Sequence, residues 1–133
     1  MIIDSSVLIA ILKNEPDCVA YENTMTESRA PLVMSAATYL EAGIVADKFR
    51  DESLKVDLLD RLIATLQIAV TPVTETQARF ARLAYRRYGK GSGHAAQLNF
   101  GDCFAYALAK DRDEPLLFKG NDFSQTDLMP ALA

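Results

Sequence analysis

Among its 133 residues the chain has no tryptophan, one histidine and two cysteines. Each scarcity closes a route to function. A lone histidine, His94, leaves catalytic zinc short of nitrogen or sulfur ligands. A Ser-His-Asp triad would need that same residue, and no Gly-x-Ser-x-Gly elbow is present. In a Gly-rich loop, His94 reads as a surface residue. Cys18 and Cys103 lack metal-ligand spacing and read as reduced, part-buried small residues. Gly89-Lys-Gly-Ser-Gly93 is the one Gly-rich stretch, and it lacks P-loop spacing and context. No apolar run approaches the roughly 18 residues of a membrane span. No basic leader precedes Met1-Ile-Ile-Asp4, so a soluble cytoplasmic protein without a membrane partner is expected. Positive charge is not in excess either. The formal net charge of −4 argues against broad, nonspecific coating of nucleic acid.

What remains is ordinary globular material. Half the residues are apolar and 24% are charged. The length suits one domain over residues 1–133 that folds without disulfide or structural metal. Met1-Ile-Ile, Leu32-Val-Met34, Ile68–Val73 and Leu116-Leu-Phe118 read as strands. Helical patterns separate them: Val7–Leu12, Pro16 to about Arg29, Ser35 or Thr38 to about Arg50, Ser53–Leu66, Glu75–Tyr88 and Asp102–Arg112. Strands alternating with helices predict an α/β/α sandwich around a parallel sheet of four to five strands.

Four carboxylates stand out against this frame. Asp4, Glu41, Asp102 and Asp122 each follow an apolar, strand-like run, and Asp102 also stands before a helical one. In a parallel sheet the carboxyl ends of the strands share one edge, and ligands bind there. Acids remote in sequence then converge, and they repel unless a cation or proton lies among them. Taken singly, each has a plain alternative. Asp4 and Asp102 suit helix N-caps, and Asp122 suits the Gly120-Asn-Asp turn, where Asn121 is a second candidate ligand. Glu41 shares a helix face with Ala37, Val45 and Phe49, and Asp102 with Ala105, Tyr106 and Ala109. A carboxylate on such a face needs a partner. Several oxygen donors in one pocket suit Mg²⁺ or Mn²⁺, which can activate water and stabilise the leaving oxygen of a phosphodiester.

One basic cluster runs against the acidic background. Arg79, Arg82 and Arg86 lie three and four apart on the helix after Thr74, with Arg87 and Lys90 following and Tyr85 and Tyr88 interleaved. Phe80, Leu83 and Ala84 are expected on its core side. The cluster is either a solvated face or a guide for an RNA backbone.

Met-Ile-Ile-Asp4-Ser-Ser-Val-Leu, Glu41 on its helix, Gly101-Asp102-Cys-Phe-Ala-Tyr-Ala-Leu-Ala and Leu-Leu-Phe-Lys-Gly-Asn-Asp122-Phe together resemble PIN-domain proteins, most closely the VapC-type toxin ribonucleases of VapBC toxin–antitoxin modules. The resemblance spans nearly the whole chain. It implies a dimeric, Mg²⁺- or Mn²⁺-dependent endoribonuclease acting on structured RNA such as tRNA or rRNA. It implies Asp4 and Asp102 as principal metal ligands, Glu41 as ligand or water orienter, Asp122 as fourth acid, and Ser6 as a small polar neighbour of the site. It also implies a VapB-type antitoxin that lies across the pocket. Two readings compete: a receiver-like phospho-acceptor domain, tempted by Lys119, and a PIN-like module that binds without cutting. The receiver needs an acid pair after the first strand, where this chain has Asp4-Ser5-Ser6, and an acceptor Asp ending a central strand.

Overall fold

The computed structural model describes residues 1–132. In chain order the elements are β1 (Ile2–Ile3), α1 (Ser5–Leu12), α2 (Cys18–Thr26), β2 (Val33–Ser35), α3 (Ala36–Asp47), α4 (Leu58–Thr65), β3 (Ala69–Thr71), α5 (Glu75–Tyr88), α6 (Asp102–Arg112) and β4 (Leu116–Leu117). A short 3₁₀ turn follows at Phe123–Gln125. The four strands form one parallel sheet in the order β3-β2-β1-β4.

Side-chain alternation builds the layers. Ile2, Val33 and Leu116 turn to one face, where they meet Ala84 and Tyr88 of α5 and Leu108 of α6. Their neighbours Ile3, Met34 and Leu117 turn to the other, where they meet Val7, Leu8, Tyr21, Ala42 and Leu59. Successive strand residues point to opposite faces, so consecutive apolar residues require helices on both sides. The result is the expected α/β/α sandwich, with its strand number at the lower end of the expected range. The chain starts at β1, moves out through β2 to β3, then returns to lay β4 on the free side of β1. The order therefore reverses between β1 and β4, the crevice where open α/β sheets bind ligands.

Several local expectations change. α4 begins at Leu58, not Ser53, because Asp51 accepts the Ser53 N–H at 2.9 Å and its hydroxyl at 2.6 Å. That turn competes with helix, and Asp57 caps α4 through the Asp60 N–H at 3.0 Å. Ser35, not Thr38, caps α3, and Thr38 is buried. On α5 the core side is Gln77, Ala81, Ala84 and Tyr88, while Leu83 is 56% exposed.

Candidate functional site

β1 ends at Ile3, and Asp4 is the next residue. Its extended backbone lets the side chain turn back over α1, where Oδ2 accepts the Ser6 N–H at 3.1 Å and the Ser6 hydroxyl at 2.5 Å. The cap reading is therefore correct, and it is incomplete. Asp4 is 3% exposed, and its other oxygen, Oδ1, is buried with no hydrogen-bond partner. A cap uses one oxygen, while a buried carboxylate with an idle acceptor asks for a cation or a proton. Burial pushes the Asp4 carboxyl above its ordinary value and the Glu41 charge adds to this, against the pull of the Ser6 hydrogen bonds.

Ser6 also ties two strands' ends together. Its Oγ accepts the backbone N–H of Lys119 at 3.0 Å while donating to Asp4. The Asp4 N–H in turn donates to the Leu117 carbonyl at 3.0 Å. The exit of β4 thus fixes the acid that ends β1.

Glu41 reaches the same edge from α3. The stripe it shares with Ala37 and Val45 is half-buried, flanking the helix's core residues Thr38 and Ala42. Its Oε1 accepts the Ser5 hydroxyl at 2.6 Å. Ser5 and Ser6 therefore hold one acid each.

Asp102 arrives by another route than expected. The element before it is α5, not a strand; it opens α6, within the crossover from β3 to β4. α6 packs on β1 and β2, which brings its first turn to the strand ends. Asn99 and Asp102 bond reciprocally: Asp102 Oδ2 accepts the Asn99 N–H at 2.9 Å, and Asn99 Oδ1 accepts the Asp102 N–H at 2.8 Å. This pair works as a capping box. Burial raises the Asp102 carboxyl to about 7; the Asn99 backbone bond opposes this, and the charges of Asp4, Glu41 and Asp122 reinforce it.

Asp122 sits in the turn after β4, exposed, before the 3₁₀ turn. The neighbouring Asn121 is also exposed, and its carbonyl accepts the Ser124 hydroxyl at 2.6 Å. Asp122 acts on Asp102 through its charge.

The basic cluster lies on the exposed side of α5. Arg79 pairs with Glu75 at 3.2 Å, and Arg87 lies over the Tyr88 ring. Arg82 alone among the five lines a groove between α5 and α6, with Tyr85, Phe100, Cys103 and Phe104. Phe100 is 77% exposed and meets Phe104 edge-on at 5.0 Å. These two aromatics lie four residues apart, one turn of chain around Gly101-Asp102, on the side that turns to α5. Further exposed apolar residues lie elsewhere: Leu40 and Ile44 on α3, Phe49, Leu54 and Val56 in the connection to α4, and Leu58 at the start of α4.

A family model for the PIN domain matches residues 1–128. The chain belongs to the PIN-domain family. Within it, similar proteins are VapC ribonucleases. Ribonuclease VapC28 of Mycobacterium tuberculosis is 53% identical over 132 residues, covering 99% of this chain and 98% of that protein. Ribonuclease VapC of Mycolicibacterium smegmatis is 47% identical, covering 96% and 97%. Among solved structures, M. tuberculosis VapC20, described as a sarcin-ricin-loop-cleaving toxin, superposes with a TM-score of 0.72 at 12% identity, covering 96% of this chain and 95% of that one. A toxin–antitoxin complex from Klebsiella pneumoniae gives 0.67 at 16% identity, covering 99% and 94%.

In this PIN domain Asp4, Glu41 and Asp122 all stand near enough to Asp102 for their charges to add to the effect of burial on its carboxyl. Among the described residues no three acidic, histidine or cysteine side chains are drawn close enough to form a closed metal cage. Mg²⁺ needs no such cage: it keeps several waters and takes few protein carboxylates. The idle Asp4 oxygen and the carboxyl of Asp102, raised by burial and further by three neighbouring acids, fit a hard cation on this PIN-domain edge. Sequence reasoning missed Ser5 and Asn99 as holders of Glu41 and Asp102. The Asn99-x-x-Asp102 spacing was a readable capping signal. The Ser5–Glu41 bond joins residues 36 apart and left no local sign.

Proposed function

We propose that this PIN domain is the toxin of a VapBC-type toxin–antitoxin module, a Mg²⁺- or Mn²⁺-dependent endoribonuclease that hydrolyses phosphodiester bonds in structured RNA such as tRNA or rRNA. The observation that carries the reading is the buried, unpartnered Oδ1 of Asp4 beside the raised carboxyl of Asp102. Asp4 and Asp102 would be the principal ligands, with Glu41 and Asp122 completing the set. A bound divalent ion supplies positive charge that acidifies a water and stabilises the leaving oxygen.

The chain's own residues do the rest. Ser6 holds Asp4, Ser5 holds Glu41 and Asn99 holds Asp102, so three carboxylates have fixed directions before any ligand arrives. Preorganised charge avoids reorganisation at the moment of reaction. Arg82, with Arg79, Arg86, Arg87 and Lys90 along the same side, would attract the phosphate backbone, and the Phe100–Phe104 groove offers a surface for unstacked bases. The exposed apolar residues on α3, α4 and their connection support protein partners, a VapB-type antitoxin and a second copy of the chain. Among the described residues no helix is long and apolar enough to cross a membrane.

The receiver-like alternative is set aside by PIN-domain membership. A silent, binding-only PIN domain is disfavoured because all four acids are present and three are held. Asp4→Asn keeps an oxygen for the Ser6 cap but removes the charge. It is expected to cut cleavage of total tRNA and rRNA by about 10²-fold or more while melting no lower than the parent protein, since the buried carboxyl it replaces is raised above its ordinary value. EDTA should do the same to the parent. Cleavage that persists in EDTA, or in Asp4→Asn, would reject the assignment.

A further inference from the structure

Gly101 is not glycine for the sake of its backbone. Its dihedrals, φ −63° and ψ −40°, are ordinary right-handed helix, open to any residue. What glycine supplies is room. A Cβ built at Gly101 would lie 1.6 Å from Glu41 Oε2, 2.6 Å from its Cδ and 3.2 Å from Oε1, and those are its three nearest atoms. No backbone and no other side chain comes as near. The Glu41 carboxylate occupies the space a side chain would take, immediately before Asp102.

We propose that Gly101 is a positioning residue: by lacking a Cβ it lets the Glu41 carboxylate stand beside Asp102, with its other oxygen on the Ser5 hydroxyl. This rests on the metal-dependent nuclease reading for its consequence, but not for its geometry. Any larger residue at 101 displaces the tip of Glu41 and breaks the Ser5 bond. Because the collision is with a flexible tip, the chain still folds; because that tip is the working part, the site does not survive unchanged. Displacements near 1 Å at a catalytic group cost up to about 10²-fold in rate.

The test is a cycle of Gly101→Ala, Glu41→Ala and the double variant, beside the parent protein. Removing Glu41 beyond Cβ removes every atom that the new Cβ would strike. In the Glu41→Ala background, Gly101→Ala should leave the metal-free melting temperature unchanged or raise it, since alanine loses less entropy than glycine on folding. In the parent background the same substitution should fall short of that by on the order of 3 °C. Equal effects in the two backgrounds would overturn the geometric claim, whatever the protein's activity. If Gly101→Ala alone fails to fold, Glu41→Ala must restore folding, and failure to do so also overturns it. For function, Mn²⁺ affinity by titration calorimetry and cleavage of total tRNA should each drop by about tenfold or more in Gly101→Ala, with no further drop when it is added to Glu41→Ala. Parent-like Mn²⁺ binding and cleavage in Gly101→Ala would overturn the positioning role. A parent protein that neither binds Mn²⁺ nor cuts RNA would instead overturn the nuclease reading, and the melting cycle would still decide the geometry.

Discussion

Asp102→Asn should make the metal-free protein more stable while destroying its activity. The carboxyl of Asp102 is raised from 3.8 to about 7 by burial and by the charges of Asp4, Glu41 and Asp122, against the Asn99 backbone bond. A folded-state value above the unfolded one means that the fold holds this proton more tightly than the unfolded chain does. Its stabilising effect is complete below about pH 4 and is lost as pH rises through about 7. Taken at face value the displacement corresponds to ~4 kcal/mol. The side chain is part-exposed, and solvent screening reduces this to roughly 2 kcal/mol. Asparagine keeps an oxygen for the Asn99 N–H, so the cap survives while the charge goes. Melting curves in EDTA should show the variant about 6–10 °C above the parent at pH 8. The gap should close toward pH 4, where the parent's own carboxyl is neutral. Added Mg²⁺ should narrow the gap at pH 8 by stabilising the parent more than the variant. A variant no more stable than the parent at pH 8, or a gap that does not shrink on acidification, would refute the electrostatic account of the site.

Other expectations follow from single contacts. Ser6→Ala removes the bridge from Lys119 to Asp4, and should cost about 1–3 kcal/mol in denaturant unfolding and weaken Mn²⁺ binding. Reversing charge at Arg82 and Arg86 should weaken RNA binding and flatten its salt dependence in filter-binding assays; an unchanged salt slope would leave the α5 face as an ordinary solvated one. Phe100→Ala should raise KM for RNA several-fold with little change in kcat or melting temperature, since the ring is exposed. Asp127 accepts from the Tyr106 hydroxyl at 2.7 Å and pairs with Lys110 at 3.0 Å. Burial raises its carboxyl, but those two partners outweigh it and hold it below its ordinary value. The contact's stabilisation is complete above about pH 4 and fades as pH falls through the lowered folded-state value, so Asp127→Asn should lower the melting temperature at pH 7, and by progressively less on acidification.

The sequence by itself determined the layering and the identity of the acids. Paired apolar residues such as Ile2-Ile3 and Leu116-Leu117 can be satisfied only by a sheet covered on both faces, and the helical periods between strands left one way to cover it. Asp4 and Glu41 were legible because strand ends in a parallel sheet share an edge. Local chemistry also placed the caps of α1 and α5, where Asp4 and Thr74 lie within three residues of the N–H groups they accept. Tertiary structure decided what depends on approach between distant segments. The exposure of Leu83 follows from where α6 covers α5, which the periodicity of α5 cannot reveal. Asp102 reaches the sheet edge from a helix rather than a strand, because α6 packs across β1 and β2. The bond of Ser5 to Glu41 and the space that Gly101 leaves for that same carboxylate exist only once α1, α3 and α6 meet. A local rule reads a glycine as a demand on the backbone; here the demand is for volume, and volume is set by a side chain 60 residues away.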